Sequence, residues 1–579
     1  MGKNFVDHLR EKLLEFGDTR TYTFLREAHD DGRTFRVLDE RAREIAEMVS
    51  RRTAPGDRAL LLYPSGPEFL EAFLGCLYAG VLAVPAPVAQ YRHSLDRLTG
   101  ILTDAGVELI LTTAEDRAAV LAQIAEHVPA DRPIDCAATD SAGIGDAAAW
   151  RQPEIAADSV AYLQYTSGST SEPKGVMVTH ANLLHNCAVI AEIWQLDAGA
   201  TMAGWVPHFH DMGMVGMLLA PLYAGANCVH CAPLSFVKRP VRWLEMLSRF
   251  RATATAAPDF AYELCVRQVT AEQVSTLDLS SLRVVVDGAE PVRPATLDTF
   301  AEKFAPAGFR REIAAAGYGL AEATLVVASA APEDGASVRH VQLDALSRNE
   351  VRLAPANDGW PLVGHGGARG CEIRIVDPAT TAEVGEGRVG EIWVGGPSVA
   401  GGYWNQPEVS EETFRAHTSS GAGPFLRTGD LGFLLEGELF VTGRHKDLIV
   451  MQGRNIYPQD VEQAVRQVDS AVLSRQGAAF SVRSDREHLV LVQEIRARQV
   501  GAGGLADLAE RIQQAVVRRF DVSFPSILLV DRPVPRTTSG KVQRRATRER
   551  FLAGELSTVH AVLHPAVESA LREPGGVLR

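Results

Sequence analysis

Cysteine is scarce in this chain of 579 residues: there are seven, at positions 76, 136, 187, 228, 231, 265 and 371. A small odd number, mostly in apolar surroundings, excludes a disulfide-stapled scaffold, and a chain this long has core enough without one. A reducing, cytoplasmic setting is the expectation. Cys228 and Cys231 form a C-x-x-C, but no second pair and no His-x-x-x-His completes a zinc site. Positive charge is also in short supply, with 58 Lys+Arg against 72 Asp+Glu and a formal net charge of −14. That balance argues against sequence-independent binding to nucleic acid or to anionic membrane, while leaving room for a local basic patch near an anionic substrate. No secretory leader is expected, because the first eight residues carry charges and no apolar stretch. Val6 stands where a myristoylation signal has Ser or Thr. The one long segment without Asp, Glu, Lys or Arg, 212–237, is broken by Gly213, Gly216, Pro221, Gly225, Asn227, His230 and Pro233. A buried helix, turn and strand are expected there, and no membrane span.

What is present is ordinary for a globular protein: 46% hydrophobic, 22% charged and 7% aromatic residues, which excludes disordered, collagen-like and coiled-coil chains. The length suggests three or four units of about 150 residues each. Early in the chain strands and helices alternate. Ala59–Tyr63 reads as a strand, Glu68–Tyr78 as a helix with Phe69, Ala72, Phe73 and Cys76 on one face, and Val81–Val84 as a returning strand. The rhythm recurs near 99–113, 160–195, 243–257 and 281–317, so the fold class is α/β with doubly wound sheets covered by helices. From Arg369 short strands punctuated by Gly and Pro predict a small β-rich subdomain. Beyond Asp447, Pro458 opens a helix whose stripe is Val461, Ala464, Val465 and Val468, and strand–helix alternation resumes to about 550. Residues 556–579 are weakly patterned and are expected to be a tail or a docking helix.

The most informative segment runs from Tyr165 to Gly175 and contains Thr166, Ser167, Gly168, Ser169, Thr170 and Lys174. It lies between two apolar strands, with Thr179 placed to cap the next helix. Consecutive small and hydroxyl residues leave backbone N–H groups and hydroxyls free to wrap a polyphosphate, and Lys174 adds charge. A flexible linker has the same composition but seldom sits between buried strands. The order Gly-Lys-Ser/Thr of a Walker loop is absent.

This segment resembles the phosphate loop of the adenylate-forming superfamily, which includes acyl-CoA synthetases, luciferases and adenylation domains of peptide synthetases. Four further motifs follow in family order: Gly317 to Glu322, Arg427 to Leu431, Gly443 to Asp447 and Pro535 to Lys541. The resemblance spans roughly residues 20–550. It implies a large N-terminal AMP-binding domain (1–443, with the β-rich part at about 364–443), a hinge at 444–447 and a small mobile α+β C-terminal domain (448–579). By the same resemblance the phosphate-loop residues hold ATP. Gly288, Ala289, Glu290 and Pro291 would wall the adenine pocket opposite Gly317, Tyr318, Gly319 and Leu320, with Tyr318 stacking on the base. Glu322 is implied as the Mg²⁺ ligand, Asp430 as the ribose ligand, and Arg444 as a ligand of ribose or phosphate. Lys541 would bridge the substrate carboxylate and the α-phosphate, and Asp447 would be the hinge. Bringing two anions together requires such cations and oriented N–H groups.

Several details are similar to the fatty acyl-AMP ligase branch: Leu163 to Ser171, His210 to Gly213, Gly288 to Val292 and Gly453 to Glu462. A long segment within about 333–363 occupies the place of the insertion that sets this branch apart and is thought to impede discharge onto CoA. The implied activity is activation of a fatty acid with ATP and Mg²⁺, followed by transfer to the phosphopantetheine thiol of an acyl carrier protein or carrier domain. Met212, Met214, Val215 and Met217 are offered as acyl-tunnel lining, though such residues are more often plain core. His210 is offered as the group that orients the carboxylate or gates the tunnel. The alternatives are a CoA ligase, an amino-acid adenylation domain and a nucleotide- or lipid-binding pseudoenzyme. Retention of Glu322, Asp430, Arg444 and Lys541 speaks against the last.

Overall fold

A computed structural model of the chain describes residues 3–27, 29–88, 92–124, 134–141, 143–166, 173–331, 335–473, 476–484, 486–496, 499–500, 503–537 and 541–572. Two sheets form its larger part. One has eight strands, in the order Val326–Ser329, Ala314–Gly319, Val284–Gly288, Ala254–Ala257, Thr201–Gly204, Asn227–Cys231, Thr21–Leu25 and Asp30–Thr34. Its inner pairs are parallel and its two edge strands antiparallel. The other has six, in the order Asp135–Ala138, Leu109–Thr112, Arg58–Leu62, Leu82–Ala86, Val160–Thr166 and Lys174–Thr179. Here only the last pair is antiparallel.

Side-chain alternation along these strands decides how the layers stack. In the six-stranded sheet Ala59, Leu61, Leu109 and Leu111 join one apolar cluster, while Leu60, Leu62 and Ile110 join another. In the eight-stranded sheet Val284 and Val286 face that first cluster and Val285 faces a third. The first cluster also takes in the helices Phe35–Ser50, Pro67–Ala79 and His180–Ile193, so the two sheets share a helical layer between them. The same alternation separates the C-x-x-C. Cys228 lies on the shared face and Cys231 on the opposite one. Burial raises both thiols, Cys231 to about 12, which leaves them packing groups.

A four-stranded antiparallel meander follows: Glu372–Val376, Gly390–Gly395, Leu426–Leu435 and Glu438–Arg444. After the turn His445–Asp447 the chain builds a smaller lobe around the sheet Gly477–Arg483, Glu487–Glu494, Ser526–Val530 and Thr558–Val562, with an apolar cluster on each face. The helix Pro458–Arg466 buries Val461 and Val465 against it.

Of the two expectations for the residues beyond 556, a tail or a docking helix, the helix is the one present, and a strand that the sequence did not announce precedes it. Thr558–Val562 pairs antiparallel with Ser526–Val530, and the helix Pro565–Arg572 seats Val567 in the lobe's second cluster. The strand's exposed, bulged edge position explains its weak alternation. Val567→Asp should therefore destabilise the small lobe by about 1–3 kcal/mol, read as faster hydrogen exchange in Ser526–Val530 with the large sheets unaffected.

Candidate active site

The glycine motifs singled out in the sequence meet at the carboxyl ends of adjacent parallel strands. Gly288 and Gly317 occupy the same rung. A Cβ on Gly288 would lie 2.8 Å from the Gly317 carbonyl oxygen, and one on Gly319 only 1.7 Å from that of Leu325. The turns after both strands thus require glycine, and the end of the sheet is left open where α/β enzymes place their ligands. Two non-glycine residues beside it, Ala289 (φ 67°) and Thr324 (φ 68°), are in left-handed or strained backbone, a form of strain that clusters at ligand sites.

Ala289 borders a cavity of about 240 Å³ between the two lobes. The large lobe contributes Trp205, Val206, Pro207, His210, Met212 and Phe260 among others, and the small lobe contributes Gln476, Arg536 and Lys541. Lys541 closes a short loop in which its N–H donates to Thr537 Oγ1 (3.1 Å) and its carbonyl accepts from the Thr537 N–H (2.8 Å). Burial lowers its ammonium below the ordinary lysine value, opposed by the charges of Asp211, Glu290 and Asp430. Asp211 precedes the π-helical turn Met212–Leu219 and accepts from the Met212 N–H (2.7 Å). His210 Nδ1 lies 2.7 Å from its Oδ1. Burial pushes the Asp211 carboxyl up, but His210, Lys541 and the Met212 N–H together hold it below its usual range.

Of the four positions offered as acyl lining, Met212 alone borders this cavity. Met214, Val215 and Met217 are core residues, each at most 1% exposed. Met217 packs onto Gly204, where a Cβ would meet its sulfur at 2.5 Å. The π-helical turn is buried on all sides, so most of it faces sheet and helix.

Asp430 and Arg444 face each other across paired strands, with Arg444 Nε donating to Asp430 Oδ1 (3.1 Å). The Tyr318 hydroxyl donates to Asp430 Oδ2 (2.9 Å). Glu322 sits in the turn Ala321–Ala323 after the strand that carries Tyr318, and its Oε1 accepts from the Tyr403 hydroxyl (2.8 Å). Lys174 Nζ lies 4.7 Å from the centre of the Tyr403 ring, a cation–π distance. Tyr403 thereby joins two residues that the sequence reading kept separate. Its segment is pinned beside the strand Lys174–Thr179, with Trp404 N–H donating to the Gly175 carbonyl and Gly401 N–H to that of Met177. The sequence reading missed Tyr403; its signal is the Gly401-Gly402 pair in front of it. Thr166 and Lys174 are opposite each other at the base of the hairpin; Ser167, Gly168, Ser169 and Thr170 lie outside the described residues.

Glu290 accepts from the Phe260 N–H, and burial together with Asp259 raises it to about 7. Leu320, at the turn's start, is packed against the shared core, and Pro291 follows Glu290 in the loop after Gly288. Asp447, in its turn, pairs with Arg544 (3.2 Å), which also holds Glu462 through two bonds (2.7 and 2.8 Å). Of the arginines that follow Lys541, Arg544 is held in these ion pairs, and Arg545 is exposed beside Glu549.

Magnesium is commonly held by one or two carboxylates plus the phosphates themselves. Glu322, joined through Tyr403 and Lys174 to the base of the hairpin Val160–Thr166 with Lys174–Thr179, fits that pattern. Among the described residues no group of three or more His, Cys, Asp or Glu forms a metal cage, and no helix is long and apolar enough to cross a membrane.

A model of the AMP-binding enzyme family matches residues 9–404. The medium-chain-fatty-acid–[acyl-carrier-protein] ligase JamA of Moorena producens is 42% identical, over 95% of this chain and 95% of its own. A fatty acyl-adenylate ligase from L. pneumophila, solved with acyl adenylate and pyrophosphate, is 34% identical with a TM-score of 0.75, covering 96% of this chain and 97% of its own. A structure from work on the fatty acyl-adenylate ligases of E. coli and L. pneumophila has 32% identity and a TM-score of 0.84, with coverage of 95% and 97%.

Behind Gly288, Asp287 is fully buried, and neither carboxyl oxygen has a hydrogen-bond partner among the described residues. Burial and the nearby Asp259 and Glu290 charges hold it protonated well above the carboxylate range. The folded chain then binds a proton that the unfolded chain gives up near pH 4, so this group's contribution to stability falls as pH rises. Asp287→Asn should remove that dependence: its thermal midpoint should gain on the wild type's progressively from pH 5 to pH 8.

Proposed function

This chain belongs to the AMP-binding enzyme family, and on that premise we propose that it activates a fatty acid as the acyl-adenylate and passes the acyl group to a carrier-bound phosphopantetheine thiol. The observation that carries the reading is the convergence on one largely apolar cavity of Lys541 from the small lobe and His210, Met212 and Ala289 from the large one. An apolar wall suits an alkyl chain, and the half-buried ammonium of Lys541 suits its carboxylate. ATP is the co-substrate; Mg²⁺ held by Glu322 would neutralise phosphate charge and favour pyrophosphate as the leaving group.

In the first half-reaction a carboxylate oxygen forms a bond to the α-phosphorus while the bond from that phosphorus to the bridging oxygen breaks, releasing pyrophosphate. Lys541 offsets the charge shared by the two approaching anions, in a site where burial strengthens the interaction. His210, oriented by Asp211, borders the cavity where the carboxylate is brought up. Asp430 has both oxygens engaged by protein donors, Tyr318 and Arg444, which fixes its orientation for the ribose hydroxyls. In the second half-reaction the thiol sulfur attacks the acyl carbon, AMP departs with its phosphate oxygen, and the thiol proton is released to water.

The segment 338–363 bears on which thiol is accepted. Its hairpin, Val338–Val341 with Trp360–Val363, shares a core with Phe433 and Phe440 of the meander and Tyr457 of the small lobe. The Trp360 ring lies 6.4 Å from that of Phe520 and under the Arg519 guanidinium (4.8 Å), and Asn349 accepts from Asn455 Nδ2 (2.8 Å). The segment is thus wedged between the lobes, and we assign to it the restraint on small-lobe movement that disfavours CoA. Asp447, tied through Arg544 to the helix just after Lys541, is the hinge in this reading.

Lys541→Ala should lower acyl-adenylate formation roughly a hundred- to a thousandfold while ATP binding changes little, measured by pyrophosphate exchange and calorimetry; unchanged exchange would remove the lysine from the mechanism. Trp360→Ala should raise acyl-CoA formation several-fold at near wild-type adenylation, read by mass spectrometry of the thioesters; efficient acyl-CoA formation by the wild type would instead overturn the acceptor assignment.

A further inference from the structure

The cavity opens beneath the short helix Pro233–Lys238, and this helix has two dissimilar faces. Phe236 is fully buried and stacks on Trp205 at 4.0 Å and 11°, and Trp205 itself borders the cavity. Pro233 and Val237 also border it. Outward, Leu234 is 57% and Val237 50% exposed, and they are followed by exposed Lys238 and Arg239. Leu234, Val237 and Lys238 lie three and four residues apart, so they share one helical face. Among the described residues no other helix exposes two large apolar side chains. Arg239 pairs with both carboxylate oxygens of Glu245 (3.1 and 3.4 Å, both side chains about half exposed), and on the small-lobe side the cavity is bordered by Arg536, which is paired with buried Glu494. On a chain with a net charge of −14, this rim is locally basic.

We propose that the outward face of Pro233–Lys238, with Arg239, is the docking surface for the acyl carrier, and that the carrier's matching face is acidic around an apolar contact. The proposal rests on the acceptor assigned above and goes further by placing it. A thiol at the end of a prosthetic arm must enter the cavity from a partner seated at its mouth, and Val237 belongs to both mouth and surface. A small apolar centre with a charged rim is the anatomy of a transient protein interface, and opposite charge gives it on-rate and selectivity. An anionic membrane is less well matched: lipid-binding sites gather about four to eight basic residues, and the rest of this acidic chain would be repelled.

The test uses the triple variant Leu234→Ser, Lys238→Glu, Arg239→Glu, whose changes are solvent-facing. Three rates are compared with wild type: pyrophosphate exchange, acyl transfer to holo-acyl carrier protein over a range of carrier concentrations, and transfer to free pantetheine. Exchange and pantetheine transfer should stay within twofold and the thermal midpoint should be unchanged. The KM for carrier should rise at least tenfold, and the wild-type KM for carrier should rise with salt. Carrier transfer equal to wild type, or a loss matched by an equal loss with pantetheine, would overturn the docking surface. So would variants that stop binding phosphatidylcholine–phosphatidylglycerol vesicles yet load carrier normally. A wild type that forms adenylate but loads no carrier would overturn the acceptor assignment itself, a result distinct from the others.

Discussion

An ammonium carried on one lobe has to be held among carboxyl groups of the other, and much of the molecule is arranged around that requirement. Lys541 is buried, which weakens its hold on a proton, and the charges of Asp211, Glu290 and Asp430 restore part of what burial removes. Among the described residues none of the three forms a direct ion pair with Lys541, and their attraction acts at longer range. A lysine locked in a close salt bridge would be a poor group to exchange onto an incoming carboxylate, because breaking a buried pair leaves an uncompensated charge. Held by longer-range attraction, the same lysine is confined to the site and still available to an anion.

The supports behind this arrangement are themselves electrostatic. Asp259 is bonded to the Arg293 side chain and to its backbone N–H (2.9 Å). Arg293 continues to Glu263, and Glu263 reaches Arg466 of the small lobe at 3.0 Å. The chain of contacts runs from the loop that carries Glu290 to the helix Pro458–Arg466, so the wall of the cavity and the position of the small lobe share charged groups. The cost of concentrating acids here shows in Asp287, kept neutral at the end of its strand, and in Glu290, raised toward neutrality.

How legible this was depends on the range of the interaction concerned. Strand alternation and helix stripes are local, and the sequence places the strands near 58–62 and 82–86 and the helix from Pro458 with small errors at their ends. The motif residues Tyr318, Asp430, Arg444 and Lys541 are offered by resemblance alone, and the fold brings them to one region. Partnerships across the chain are another matter. Tyr403 is connected to Glu322 and Lys174 over long separations, and nothing in its neighbourhood but two glycines announces it. The methionines of 212–217 look like tunnel lining because composition cannot tell a residue facing a cavity from one facing a sheet; the π-helical turn decides, and it turns only Met212 toward the opening. The last strand escaped notice because an exposed edge needs little alternation to pair.

The two kinds of contact that join the lobes differ in what it costs to break them. Arg466 and Glu263, or Asn455 and Asn349, exchange a polar partner for water when the lobes part, and the net loss for each is small. Trp360 against Phe520 and Arg519, and Tyr457 within the cluster of Val341, Phe433 and Phe440, surrender apolar area that water does not replace. A lobe that had to swing freely would be expected to meet its partner through the first kind alone. Here the apolar anchors belong to the segment 338–363 and, through Tyr457, to the first helix after the hinge proposed at Asp447. A large rotation must peel Trp360 from its seat. In the reading proposed above, an acceptor thiol that can enter with little rearrangement is favoured over one that needs the lobe displaced far, so that selectivity between acceptors would follow from the cost of motion as much as from the shape of any pocket.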